Sequence, residues 1–163
     1  MILGMSFETF TLVHTVISLI GIATGLVALA GMLAGKLLKG WTGLFLVTTV
    51  LTSVTGFLFP ISVFTPALGV GILSMVVLAA ALAALYVFHL AGAWRPIYVI
   101  TAVFALYLNS FVGVVQAFQK VSFLQPLAPT QSEPPFLIAQ GALLVLSVVL
   151  GIIALVKFHP VDA

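Results

Sequence analysis

The chain contains no cysteine. That absence excludes disulfide frameworks, thiolate metal sites, iron–sulfur clusters, cysteine nucleophiles and c-type haem attachment together. Charge is nearly as scarce: five Lys and Arg and three Asp and Glu in 163 residues, or 5%. A soluble domain carries about 25% charged residues, and eight charged side chains cannot cover the surface of a fold this size. A basic patch for nucleic acid is excluded as well, because the pI of 9.2 reflects only a small excess of cations. No Gly-rich phosphate loop, no HExxH, no GxSxG and no paired carboxylate within an apolar stretch is found, so the familiar hydrolytic and nucleotide-binding motifs are missing.

What is abundant is apolar surface: 63% hydrophobic residues and a mean hydropathy of +1.40. The expected fold class is an all-α integral membrane protein, a single domain over 1–163. The positions of the charges, Glu8, Lys36, Lys39, Arg95, Lys120, Glu133, Lys157 and Asp162, divide the chain. The charge-free runs 9–35, 96–119 and 134–156 each suit one helix of about 20 residues, and 40–94 suits two. Within 40–94, Pro60 and Pro66 mark the end of one helix and the first turn of the next. Five spans follow, at about 9–34, 42–59, 67–91, 96–119 and 136–157, with an outer loop at 120–135.

Five spans place Lys36, Lys39, Arg95 and Lys157 on one side and only Lys120 on the other. The positive-inside rule then puts the N-terminus outside and the C-terminus in the cytoplasm of a bacterial inner membrane. Trp41, Trp94 and Tyr98 read as an aromatic belt on the cytoplasmic side. Ala28-Leu29-Ala30 resembles a signal-peptidase site, but the preceding segment carries Glu8 and no cation, so residues 9–34 read as a span rather than a cleaved leader. Met1 and Met5 are expected in a short leader helix.

No Asp, Glu, Lys or Arg lies inside a span, which argues against a proton-coupled pump or a voltage sensor. The polar side chains that do fall within spans are therefore the candidates. At about 1.5 Å per residue, His14, Thr55, Gln116 and Gln140 sit roughly 6–8 Å from the outer face, with Asn109 deeper. An unpaired amide in hydrocarbon costs several kcal/mol, so these five either clamp helices together or line a cavity for a small amphipathic ligand. In the second case helices one, two, four and five surround the ligand, His14 donates to a quinone carbonyl or binds a lipid head group, and Gln116 orients it. The Pro-rich loop 120–135 forms a lid, with Ser132 capping the last helix.

The leading expectation is a non-catalytic membrane protein that binds such a ligand, or supports a larger membrane complex through a partner or a homo-oligomer. A quinone- or haem-linked redox protein is the first alternative, and a small transporter or channel component the second. His14 lies far from His89 and His159 along the bilayer normal, which disfavours bis-His haem ligation. No metal site is expected: His14, Glu8 and Glu133 are too dispersed.

Overall fold

A computed structural model describes residues 1–161; Asp162, counted among the charges above, lies outside the described residues. All regular elements in this range are helical: α1 (Phe7–Leu33), α2 (Lys39–Gly56), α3 (Pro66–Leu82), a π-helical turn (Ala83–Val87), α4 (Trp94–Lys120), a 3₁₀ turn (Gln125–Leu127) and α5 (Pro134–Lys157). Four of them, Phe7–Leu33, Pro66–Val87, Trp94–Lys120 and Pro134–Lys157, are long and apolar enough to cross a membrane. The α2 helix is not a clear span. It has 18 residues, and its apolar content is diluted by Thr42, Thr48, Thr49, Thr52, Ser53 and Thr55.

Consecutive helices run antiparallel, so the chain has two ends. End A gathers the N-terminal turn, the 57–65 reversal and the 121–133 loop. End B gathers 34–38, 88–93 and the residues after α5. The helix starts follow local chemistry. Ser6 caps α1 by accepting from Thr9 N–H at 3.2 Å, and Thr65 caps α3 by accepting from Leu68 N–H at 3.2 Å, with Pro66 in the first turn. Gly35, at φ 73°, closes α1: Lys36 N–H reaches Gly31 O at 2.8 Å and Gly35 N–H reaches Met32 O at 3.0 Å. These paired bonds satisfy carbonyls that a helix end leaves open.

Three local expectations are corrected. Residues 1–5 form no leader helix; Ile2 and Met5 exchange two backbone bonds of 3.0 Å around Leu3 and Gly4, both at positive φ. The third helix does not continue to residue 91. Phe88 N–H bonds to Ala83 O, five residues back, and the widened turn leads into His89, Leu90 and Gly92 at positive φ. The sharp reversal is fixed by Phe88 stacked on Trp94 at 3.9 Å. Ser132 does not cap α5; Glu133 occupies the cap position. Its carboxylate folds back to accept from the Thr130 hydroxyl at 2.7 Å and from Thr130 N–H and Ser132 N–H, each at 3.1 Å. The Thr130 hydroxyl bond, aided by the two backbone amides, holds the Glu133 carboxyl below the ordinary carboxylate range.

The core lies among α1, α2, α3 and α4, where Phe45, Leu46, Leu78, Ala81, Val99 and Ala105 are almost fully buried. Close approach there depends on glycine. A Cβ on Gly25 would stand 2.7 Å from Leu106 Cδ1 and 2.8 Å from Phe45 Cδ2. The α5 helix is peripheral: it buries only Phe136 and Ala154 and lies along α4 and α1. The ring of helices one, two, four and five is therefore replaced by a bundle of the first four, with α5 laid against its side.

Candidate functional site

The five polar side chains singled out by depth do not meet in one place. His14 and Thr55 do pair, with Nδ1 2.7 Å from Oγ1, joining α1 to the end of α2. Phe59 packs edge-on against the imidazole at 5.1 Å and against Phe10 at 5.0 Å, giving the pair an aromatic wall. The proton positions in this pair follow from valence. The Thr55 hydroxyl has one proton, and it is donated to Leu51 O at 2.6 Å. The Thr55 oxygen must then accept from His14 Nδ1–H, which leaves Nε2 of the neutral ring as an acceptor. In this neutral tautomer the free ring nitrogen suits a ligand hydroxyl rather than a quinone carbonyl.

Asn109 lies one layer deeper. It accepts from the Ser18 hydroxyl at 2.9 Å and donates to Ser18 O at 3.3 Å, tying α4 to α1. Gly21 makes room for it, since a Cβ there would come within 3.1 Å of Asn109 Nδ2. Gln116 is turned to its own helix, where its amide donates to Gln119 Oε1 at 3.4 Å. Gln140 is in the other seam, donating across to Phe111 O at 3.1 Å. The 120–135 loop closes over this second seam and not over His14. Ala128 is buried against Phe118 and Phe136, and Gln131 donates to Val115 O at 3.2 Å.

Two cavities stand out among the described residues. The first is a cleft of about 320 Å³ between α4 and α5, walled by Phe104, Tyr107, Leu144, Ser147 and Gly151 and almost wholly apolar. Gln140 is one helical turn before Leu144 on α5, outside the residues that wall the cleft. Its Oε1 is buried and has no hydrogen-bond partner. The second is a cavity of about 290 Å³ at end B, lined by Lys39, Thr42, Tyr86 and His89 together with Leu37 and Leu85.

Sequence reasoning missed Tyr98. It reads as an interfacial belt residue, yet it is fully buried and its hydroxyl has no hydrogen-bond partner. The signal was there: Tyr98, Ala102, Ala105 and Asn109 repeat at helical spacing along the buried face of α4. The cleft wall was missed for the opposite reason, since its residues are apolar like the lipid-facing ones. Among the described residues no group of three or more His, Cys, Asp or Glu side chains is gathered as a metal site.

These features define a class, a helical bundle with four helices able to cross a membrane and polar groups held between them. No protein-family model, no curated protein and no solved structure matches the chain.

Proposed function

We propose that the protein is a five-span membrane bundle, N-terminus outside and C-terminus in the cytoplasm, that holds a small hydroxyl-bearing amphipathic molecule between α4 and α5. The fifth span of this reading is α2. Its antiparallel seat between α1 and α3 supports it, as does the way its hydroxyls are spent on its own backbone: Thr48, Thr49, Thr52, Ser53 and Thr55 donate to carbonyls one turn back. The orientation rests on Lys36, Lys39, Arg95 and Lys157 clustering at end B against Lys120 at end A.

The observation that carries the ligand reading is the pairing of an apolar cleft with an orphaned acceptor. A volume of about 320 Å³ accepts a stretch of acyl or isoprenoid chain. Gln140 lies one helical turn beyond the cleft-lining Leu144, roughly 9 Å into α5 from its start, and in this reading its Oε1 takes the head of such a molecule. A buried carbonyl without a donor costs about 1–3 kcal/mol, and a ligand hydroxyl removes that cost. The ligand class is therefore a quinol or a glycerol-headed lipid. His14, Thr55 and Asn109 act in this reading as clamps between α1, α2 and α4, and Gln116 stays outside the site.

The test is native mass spectrometry of the protein released from membranes with its bound lipids. Gln140→Leu is expected to lower retention of the co-purifying molecule about tenfold, the effect of one hydrogen bond to a buried acceptor, while Gln116→Leu leaves it unchanged. Equal retention in both variants rejects the assignment. The same spectra report a second copy or a partner subunit.

A further inference from the structure

The 57–65 reversal at end A joins α2 to α3 and takes no part in the α4–α5 cleft. It carries no charge, and outside Ser62 and Thr65 every side chain in it is apolar. All residues from 60 to 65 are exposed, with Val63 at 68% and Phe64 at 72%. Large apolar side chains gathered on the outside of a connection call for a cover.

The depth of the reversal follows from the bonds between helices. Ser18 is bonded to Asn109, and from that contact α1 runs back to Phe7 and α4 runs on to Lys120. Both extend about 16 Å toward end A at about 1.5 Å per residue. Thr55 is bonded to His14, one turn above Ser18, and α2 stops at the next residue, Gly56. The end of α2 is therefore recessed by about 9 Å from the ends of α1 and α4. From this level Phe59 packs up the first two turns of α1, against His14 at 5.1 Å, Phe10 at 5.0 Å and Phe7 at 5.8 Å. Phe7 is itself exposed on a helix able to cross a membrane, so it links the reversal to the apolar surface of α1.

The backbone supplies a second, independent observation. The N–H groups of Phe59, Ile61, Ser62, Val63 and Phe64 find no backbone acceptor among the described residues. Irregular backbone with open donors cannot lie in the hydrocarbon, where nothing accepts from it. Exposed apolar side chains, for their part, are costly in bulk water. The two demands are met together only at the boundary, where acyl chains lie on one side and water and head groups on the other.

We infer that the 57–65 reversal is a membrane-inserted loop: Ile61, Val63 and Phe64 enter the acyl edge of the leaflet at end A, and the loop backbone meets water and lipid head groups. The partner is the bilayer itself. This rests on the five-span reading, in which α2 crosses. The insertion suits a short helix, since the 18 residues of α2 reach about 27 Å against a hydrocarbon core of about 30 Å. An apolar connection completes the crossing that the helix leaves short and holds the α2–α3 hairpin at a fixed depth.

The chain has no cysteine, so single thiols report one position each. Ile61→Cys and Val63→Cys probe the loop, and Ser132→Cys, between the polar Gln131 and Glu133, is the water-side reference. All three positions are exposed in the fold, so burial within the protein does not separate them. The full chain is placed in phosphatidylcholine nanodiscs, where both faces are open. A charged maleimide is expected to react tenfold or more slowly with the two loop thiols than with Ser132→Cys, each normalised to its rate in SDS, because the reacting thiolate is disfavoured at low dielectric. A fluorophore on Val63→Cys is expected to be quenched at least threefold more than one on Ser132→Cys by a lipid nitroxide near the head of the acyl chain. Slow reaction with quenching establishes the insertion. Comparable rates in nanodiscs overturn it, and slow reaction confined to native membranes then assigns the loop to a protein partner. Slow reaction without lipid quenching also overturns it, in favour of a second copy of the chain. Failure of the five-span reading shows separately: Lys36→Cys and Ser132→Cys would then label from the same side of sealed cells, rejecting that reading and the insertion with it, whereas an α2 that crosses puts them on opposite sides.

Discussion

Gly25→Val is expected to destabilise the bundle by about 3 kcal/mol, at the upper end of what overpacking costs. The added Cβ alone would meet Leu106 and Phe45 at 2.7–2.8 Å. Neither can retreat easily, since Phe45 is 1% and Leu106 6% exposed and both sit where α1, α2 and α4 converge. The branched side chain adds two methyl groups to the same contact. Gly141→Val is the matched control, because a Cβ there meets nothing within 4 Å, and leaving a glycine in a helix interior gains rather than loses propensity. Reversible unfolding in mixed micelles or by steric trapping gives the comparison. Equal stability of the two variants would mean that the first four helices are not packed as closely as described.

Arg95→Ala is expected to release the end of α5. One guanidinium nitrogen, Nη1, donates to Leu155 O at 3.0 Å and to Phe158 O at 2.9 Å. Those carbonyls belong to the last turn of α5 and the residue that follows it, where a cation also meets the negative end of the helix dipole. Hydrogen bonds from a charged donor contribute about 1.5–3 kcal/mol each when shielded; partial exposure of this pair lowers the total to about 2 kcal/mol. The effect is local because within α5 only Phe136 and Ala154 are buried, and the other anchor at this end, Phe158, follows the helix at the point where Arg95 holds it.

The cysteine-free background provides the assay. Val103→Cys with Gly151→Cys places two thiols across α4 and α5, where a Cβ on Gly151 would lie 3.4 Å from Val103 Cγ1. Arg95→Ala should slow disulfide formation between them tenfold or more while leaving global unfolding nearly unchanged. An unaltered rate would show that the helix is held by packing along its length and not by Arg95.

Much of the bundle was legible because charge is so rare. Lys36, Lys39, Arg95 and Lys120 all fall at helix ends or in connections, so their spacing located the turns, and Pro66 marked the start of α3. The Gly21 and Gly25 stripe likewise pointed inward without any structural information. The polar residues were read less well, for a geometric reason. Depth along the helix axis follows from counting residues, but the direction in which a side chain points around the bundle depends on which helices are neighbours. His14 and Thr55 share both coordinates and are bonded. Gln116 and Gln140 share only the depth and belong elsewhere. The peripheral place of α5 was hidden for a related reason: an apolar face turned to lipid and one turned to protein have the same composition. The π-helical turn at Ala83–Val87 follows from the tertiary fit of the reversal into α4 and has no local marker.

In the five-span reading proposed above, the threonines of α2 also bear on how the chain enters its membrane. A helix whose own composition falls short of a clear span is a poor candidate for insertion alone, even though its hydroxyls are internally bonded. Its binding face is supplied by the helix made just before it: His14 for Thr55, and Gly21 and Gly25 for Thr49 and Phe45. The order of synthesis therefore matches the order of dependence, with α1 as the template on which α2 is threaded. Moving the α2 segment ahead of α1 in a permuted chain should reduce its insertion, scored by glycosylation of a tag beyond it, whereas restoring α1 upstream should recover it; insertion indifferent to that order would refute this account.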